Sequence, residues 1–399
     1  MKIINFFKWF FITSEIKDDT RLDSKIISAM ILLLGIGIVM VYSASIAYAS
    51  VNHNQCYFLI RHMISITIGI ILAYLVFLIP TTFLQKNAFK IALFAIFLLI
   101  LVLVPHIGKV VNGAKRWIGF GSFGIQPSEL SKLSMVIYLS YYLSANSFKL
   151  ENIIKDFMRK FIPILTMIVI FAGLLLCEPD MGTTTVIFII SLALFYLSDV
   201  SRKFILGLTL VGIFGFIALV IMEPYRIKRF LGFLNPWDDA LGKGYQLTHS
   251  LLAIGHGGWF GVGVGNSIEK LFYLPEAHTD FILAIIAEET GMFGVMVVLL
   301  LFWIIFYRGF VLIANATKNL PGRQFQAFMA HGISIWFFVQ ALINFGVATG
   351  VLPTKGLTLP FISYGGSSIV INFIAFAILL KIDYENKQII KHNLYAPLS

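Results

Sequence analysis

The sequence predicts an all-α polytopic membrane protein with about ten transmembrane helices and a large extracytoplasmic loop between the seventh and eighth. Three observations carry this. Of 399 residues, 58% are hydrophobic and 13% charged, with 38 Phe and a mean hydropathy of +0.88, whereas roughly a quarter of the residues of a soluble globule are charged. Ten apolar runs match the length needed to cross about 30 Å of hydrocarbon. The 30 Lys and Arg residues divide unevenly between alternate connections, as topology requires.

Residues 1–25 form a charged N-terminal segment, with Lys2, Lys8 and further charges as far as Lys25 ahead of the first apolar run. That order does not resemble a cleaved signal peptide, so the first helix, 26–47, is expected to stay in the mature chain. The next six helices are read at 62–80, 88–105, 127–145, 161–178, 182–199 and 203–222. A polar loop covers 223–280, and helices at 281–308, 327–350 and 358–382 complete a transmembrane domain spanning 26–382, followed by a tail at 383–399. An even number of spans puts both ends on one side. The termini and even-numbered connections hold 19 Lys and Arg, Lys149, Lys155, Arg159 and Lys160 among them, against 11 on the other face. Both termini are therefore expected to be cytoplasmic.

Nine of those 11 belong to two stretches: Lys109, Lys115, Arg116 and Lys132 around the third connection, and Arg226, Lys228, Arg229, Lys243 and Lys270 in the seventh. A long loop is exempt from the positive-inside rule and a short one is not. An anionic ligand at the outer surface explains the basic third connection; a tolerated local violation of the rule is the alternative. The net charge of +10 is otherwise topology and calls for no nucleic acid.

Within the runs, charges are expensive. Glu129 and Lys132 lie three apart in SELSKL, share a helix face and can form a structural ion pair. Glu288 and Glu289 sit two turns inside the eighth helix, as functional groups or as partners between helices. Asp280 directly precedes that helix, where an N-cap is the plain role. Pro353 and Gly365-Gly366 are placed to break the mouth of the tenth helix, or simply to pack. Cys56 and Cys177 fit no metal or redox spacing and read as small buried apolar residues. There is no GxxxxGK[ST] or HExxH, and the glycines of 255–266 never reach the dinucleotide spacing, so no nucleotide loop or zinc site is read there. The glycines of GHGGWFGVGVGN (255–266) read as flexible backbone. Energy for any chemistry must arrive with the substrate.

The stretches VNGAKRWIGFGSFGIQPSELSKLS (111–134), NPWDDALGKGYQLTHSLLAIGHGGWFGVGVGNSIEKLFYLPEAHTDFILAIIAEETG (235–291) and GVLPTKGLTLPFISYGGSS (350–368) resemble the SEDS family of bacterial cell-wall polymerases, named for shape, elongation, division and sporulation. The likeness runs from the first helix onward, and PTKGLTLPFISYGGSS and EKLFYLPEAHTDF are more like its division member than its elongation member. His249 and His256 depart from the Gln and the Ser or Arg expected there.

The resemblance implies a peptidoglycan glycosyltransferase that polymerises lipid II at the outer face of the cytoplasmic (inner) membrane, at the division septum. The ten-helix domain would be catalytic, and Asp280 carries over as its acid. Bond formation needs a base for the attacking sugar hydroxyl and cations for a pyrophosphate that leaves as an anion; a glycosidase would instead need two carboxylates about 5 to 10 Å apart. Asp280 is accordingly the candidate general base. Arg116, Lys132, Lys355 and His278 are candidate substrate contacts, with Glu129 and Glu289 as buried polar partners. No cofactor is evident, and a divalent cation such as Mg is compatible with the chemistry. Expected partners are lipid II, membrane lipid, a class B penicillin-binding protein (the division transpeptidase) and other divisome proteins. The rivals are a lipid II flippase, which should carry midplane charges and inverted repeats, the elongation polymerase of the same family, and a scaffold, which would need neither Asp280 nor the outer basic cluster. No clear repeat relates 26–199 to 203–382.

Overall fold

A computed structural model describes residues 22–52, 54–111, 114–120, 123–146, 157–222, 227, 232–242 and 244–395. Lys2, Lys8, Lys149, Lys155, Arg226, Lys228, Arg229 and Lys243 lie outside them. All ten expected helices are present: α1 Ser24–Asn52, α2 Tyr57–Leu78, α3 Thr81–Leu103, α4 Pro127–Ala145, α5 Ile162–Cys177, α6 Met181–Leu197, α7 Arg202–Ile221, α9 Ile282–Phe306, α10 Gln324–Ala348 and α11 Gly366–Tyr395. A further helix, α8 Tyr245–Gly257, lies in the long loop. One wide π-helical turn, Phe157–Phe161, leads into α5, and another, Tyr307–Ala314, extends α9.

Among the described residues, eight helices are long and apolar enough to cross a membrane by length and composition, and the chain is an all-α polytopic membrane protein. The two that fall short are α4, which carries Glu129 and Lys132, and α6, which has 17 residues. Both are packed inside: α4 lies against α3 and α10, and α6 against α4 and α10. Around them α11 runs along α2, α1 along α9 and α8 along α9. The core is built from Leu, Ile, Phe and Ala of α4, α9, α10 and α11, while α7, with no buried residue, flanks α6.

Four expectations are corrected. The third connection is no plain loop: β1 Gly108–Val111, β2 Ala114–Phe120 and β3 Phe123–Ile125 make a small antiparallel sheet in the order β1-β2-β3. The last helix starts at Gly366 rather than 358, because Pro360 and Gly365 disfavour helix and side chains of α10 take the bonds of the preceding backbone, as set out below. Two of the glycines of 255–266, Gly257 and Gly261, are points of close contact with the backbone of α9, whereas a side chain at Gly255, Gly258 or Gly265 would meet open space. Gly291 breaks α9 with φ 69° and ψ −174°, a conformation natural only to glycine, and a side chain at Gly261 would begin 2.2 Å from the Glu289 carbonyl oxygen. The free cysteines are not buried: Cys177 is exposed and Cys56 half-buried, since a thiol is apolar enough to face lipid.

Candidate active site

Three segments meet at the end of the bundle that carries Asp280. The first is the loop 258–281 that leads into α9. The second is a non-helical strap, 351–365, between α10 and α11. The third is the turn 178–180 between α5 and α6, with the small sheet against it.

The strap is irregular backbone in a membrane protein, which is stable only where protein satisfies it. Gln340 Nε2 donates to Thr358 O at 2.7 Å and Asn344 Nδ2 to Leu357 O at 2.7 Å, both from α10. Ser363 Oγ accepts from Leu359 N at 2.7 Å, and Tyr364 N donates to His278 O at 3.0 Å. The strap is thereby tied to α10 on one side and to the Asp280 loop on the other. Asn344 Nδ2 also donates to Asp280 O at 3.0 Å, so one amide spans both segments.

Asp280 is not the N-cap. That position belongs to Phe281, which makes no side-chain capping bond, and Asp280 stands one residue earlier. Its carboxylate faces the strap: a methyl group at Gly356 would lie 2.9 Å from Asp280 Oδ2, closer than ordinary contact. Beside Gly356, the Lys355 ammonium lies 3.5 Å from Met181 Sδ and 5.8 Å from the Phe216 ring centroid, at the start of α6 and on α7.

Arg116 reaches the same region from the sheet. Lys109 pairs with Trp117 and Val110 with Lys115, which leaves Arg116 as the extra residue of a bulge, a device that re-aims a side chain. Its Nε donates to Glu178 O at 3.0 Å and its Nη2 to Pro179 O at 2.5 Å. The turn is fixed by Asp180, whose carboxylate accepts from Thr183 N at 3.1 Å and Thr183 Oγ1 at 2.9 Å as the N-cap of α6. Glu178 is fully buried, with no hydrogen-bond partner for either side-chain oxygen among the described residues. Burial first, then the Asp180 charge, pushes its carboxyl up to about 8 against the opposing pull of Arg116, so it holds a proton at neutral pH.

His278 sits among aromatic rings, its centroid 4.6 Å from Phe58, 5.6 Å from Tyr364 and 6.2 Å from Tyr48. Burial lowers its pKa against the opposing charge of Glu276, so it is neutral at pH 7.

The other nominated residues lie apart from the junction. Lys132 is fully buried, 2.7 Å from Glu129 Oε2, 5.1 Å from the Trp336 ring centroid and donating to Gln340 Oε1 at 2.9 Å. It is linked to the strap through Gln340. Glu289 faces the long loop, where Lys270 Nζ donates to it at 2.7 Å and Ser43 Oγ at 2.6 Å. Its neighbour Glu288 accepts from Ile268 N at 2.9 Å and from Ser267 Oγ, with His256 Nδ1 at 3.0 Å. His249 pairs with Glu269 at 2.6 Å. Among the described residues, no three His, Cys, Asp or Glu side chains converge as a metal site.

Sequence reasoning missed Gln340, Asn344, Glu178 and Ser43. Trp336, Gln340 and Asn344 recur every fourth residue in an otherwise apolar run. That spacing makes one polar face in a setting where polar groups signal a role, so the signal was there for two of the four.

Comparisons with known proteins place the chain in a family. Residues 24–388 match the model of the cell cycle protein family FTSW_RODA_SPOVE. The chain is 46% identical over 377 residues to the probable peptidoglycan glycosyltransferase FtsW of Burkholderia thailandensis, covering 92% of this chain and 80% of that one. It is 44% identical over 366 residues to the protein of the same name from Legionella pneumophila, covering 92% and 91%. Among solved structures it superposes with a TM-score of 0.73 and 28% identity on a chain from work on the structural coordination of polymerization and crosslinking by a peptidoglycan synthase complex, covering 92% of this chain and 98% of that one. The Thermus thermophilus rod shape determining protein RodA gives 0.67 and 25%, covering 92% and 97%.

Proposed function

Since this chain belongs to the FtsW/RodA/SpoVE family of cell cycle proteins, we propose that it is a peptidoglycan glycosyltransferase that polymerises lipid II at the outer face of the cytoplasmic membrane during division, with Asp280 as its base. The observation that carries the reading is the seat of Asp280, a carboxylate held against Gly356 on the strap that carries Lys355. Its backbone carbonyl is clamped by Asn344.

In this reading the Asp280 carboxylate takes the proton of the acceptor's 4-hydroxyl as that oxygen attacks the anomeric carbon of the donor. The bond from that carbon to the pyrophosphate oxygen breaks, and the pyrophosphate leaves as an anion. Lys355 and Arg116 offset its charge. Arg116 suits the task because its hydrogen bonds go to two neutral carbonyls, which leaves its charge available to an anion. Neutral His278 adds no competing charge and ties the strap through its carbonyl. Glu129 with Lys132 supports Gln340, and Glu289 anchors the loop; these three position the site rather than touch substrate. A divalent ion such as Mg would be held chiefly by the substrate's pyrophosphate, since the described residues form no cage.

We assign both termini to the cytoplasm, place the protein at the septum, and take as partner a class B penicillin-binding protein, the division transpeptidase, within the divisome. Likeness to a chain of a peptidoglycan synthase complex supports a partner. The test is Asp280→Asn, purified with and without the transpeptidase, supplied with lipid II and scored for glycan chains. Losing a general base costs about a hundredfold to ten-thousandfold in rate, while insertion, accumulation and transpeptidase binding should persist. Polymerisation within a few-fold of wild type would reject Asp280 as the base.

A further inference from the structure

Two polar rungs join α1 to α9. At one end Arg308 Nε donates to Asp23 Oδ2 at 2.6 Å, and at the other Ser43 Oγ donates to Glu289 Oε1 at 2.6 Å. Asp23 and Ser43 are 20 residues apart, and Arg308 and Glu289 are 19 apart. At 1.5 Å per residue the rungs are separated by about 30 Å along α1, the thickness of a hydrocarbon core. No Asp, Glu, Lys or Arg stands between 26 and 42 or between 290 and 307. Because ionised groups are costly in hydrocarbon, the rungs mark its two edges.

The tip of the 245–263 hairpin lies at the edge marked by Glu289. Met292 N donates to Gly258 O at 2.9 Å and Phe293 N to Trp259 O at 3.2 Å. These bonds fix the height of the tip on α9, just within the Glu289 rung. There Trp259 is 66% and Phe260 86% exposed, beside Phe293 at 60% on the outward face of α9. Tryptophan and other amphipathic rings are enriched at membrane–water boundaries.

We propose that the Trp259–Phe260 tip is a membrane anchor that inserts at the headgroup–acyl boundary of the leaflet on the Asp280 side and continues the lipid-facing surface of α9. The partner is the bilayer itself. Three features select it over a protein domain: the tip's height, its backbone bonding to a lipid-facing helix, and its continuity with Met292, Phe293 and Met296, all exposed. The anchor sets the height of the site. Ile282 lies seven residues before Glu289, so the start of α9, with Asp280 beside it, stands about 10 Å beyond the hydrocarbon. The anchor does not depend on the catalytic reading, and either can fail alone.

The full chain, with Cys56 and Cys177 replaced by Ser, is placed in nanodiscs of phosphatidylethanolamine and phosphatidylglycerol. A nitroxide is attached at Phe260→Cys, with Phe293→Cys as the lipid reference and Leu241→Cys, 90% exposed in the loop, as the water reference. The readout is collision with oxygen relative to a water-soluble nickel chelate. The Phe260→Cys ratio should fall within about twofold of Phe293→Cys and at least about fivefold above Leu241→Cys. A ratio like that of Leu241→Cys overturns the anchor. So does one that becomes lipid-like or shielded only when the class B transpeptidase is added, since the surface would then dock protein. Trp259→Cys repeats the measurement. If neither labelled chain accumulates, Trp259→Phe in brominated lipid decides: loss of a quenched emission component supports the anchor, and unchanged quenching overturns it.

Discussion

Removing the Lys270 ammonium is expected to unfasten the loop that carries Asp280. Its side chain is 4% exposed, its Nζ lies 2.7 Å from Glu289 Oε1 and 3.0 Å from Ser43 Oγ, and the Glu289 side chain is fully enclosed. Lys270→Met keeps most of the length but strands a buried carboxylate beside a single hydroxyl. Breaking a buried ion pair from one side costs about 3–5 kcal/mol, whereas replacing both partners with apolar groups of similar volume is often neutral. Lys270→Met/Glu289→Leu should therefore recover most of the loss, with a coupling of at least about 2 kcal/mol in the double-mutant cycle. Reversible unfolding in lipid bicelles, followed by denaturant titration, reads both quantities. A loss below about 1 kcal/mol for Lys270→Met, or a double variant as unstable as the sum of the two singles, would refute the argument. Polymerisation by Lys270→Met should fall with stability, because the pair holds the segment that ends at Asp280.

Three further outcomes are expected. Gly356→Ala should lower the polymerisation rate about tenfold or more with little change in stability, because a methyl 2.9 Å from Asp280 Oδ2 must shift the carboxylate and small displacements are costly in rate; kinetics on lipid II would show kcat falling more than KM rises. Glu178, with its carboxyl raised to about 8 from an ordinary 4.5, binds a proton in the folded state that the unfolded state releases, so the stability it contributes is lost as pH rises from about 4.5 through 8. Unfolding temperatures of wild type and Glu178→Gln across pH 5 to 9 should diverge, with the variant lacking that slope, and parallel curves would count against a proton on Glu178. Arg116→Ala and Lys355→Ala should each weaken lipid II use more than folding, whereas Lys318→Ala, in the short helix Asn315–Lys318 beyond the π-helical turn that extends α9, should do neither; equal losses at equal protein levels would remove the pyrophosphate assignment.

The helices were legible because each rests on a run of apolar residues, a signal that survives any error in detail. What failed were elements whose signal is short. The hairpin of β1 and β2 is flagged by Asn112-Gly113, a turn dipeptide between strand-like runs, but basic residues on both sides disguise it as a charged loop. The start of α11 was misplaced because LTLPFI is as apolar as a helix, and only the amides of Gln340 and Asn344, distant in sequence, make an irregular path stable there. At the site, single residues were legible and their partnerships were not. Glu289 stood out as a membrane acid, yet its pairing with Lys270 and Ser43 depends on a hairpin folding back onto α9. Arg116 was legible as a cation on an unexpected face, while the bulge that aims it depends on strand register.

The arrangement also explains why the acids around α9 do not compete for one task. Glu288 and Glu289 are adjacent in sequence but point to different partners. One is bonded by the backbone of 268, by Ser267 and by His256, the other by Lys270 and Ser43. Both are committed to holding the loop. The main chain of Asp280 is held as well. Asn344 bonds its carbonyl and, through the same amide, that of Leu357. The base-bearing loop and the cation-bearing strap are thus registered against each other by α10. A base positioned through its backbone can give and take a proton without loosening its own support, which is what repeated addition of units to a growing strand requires.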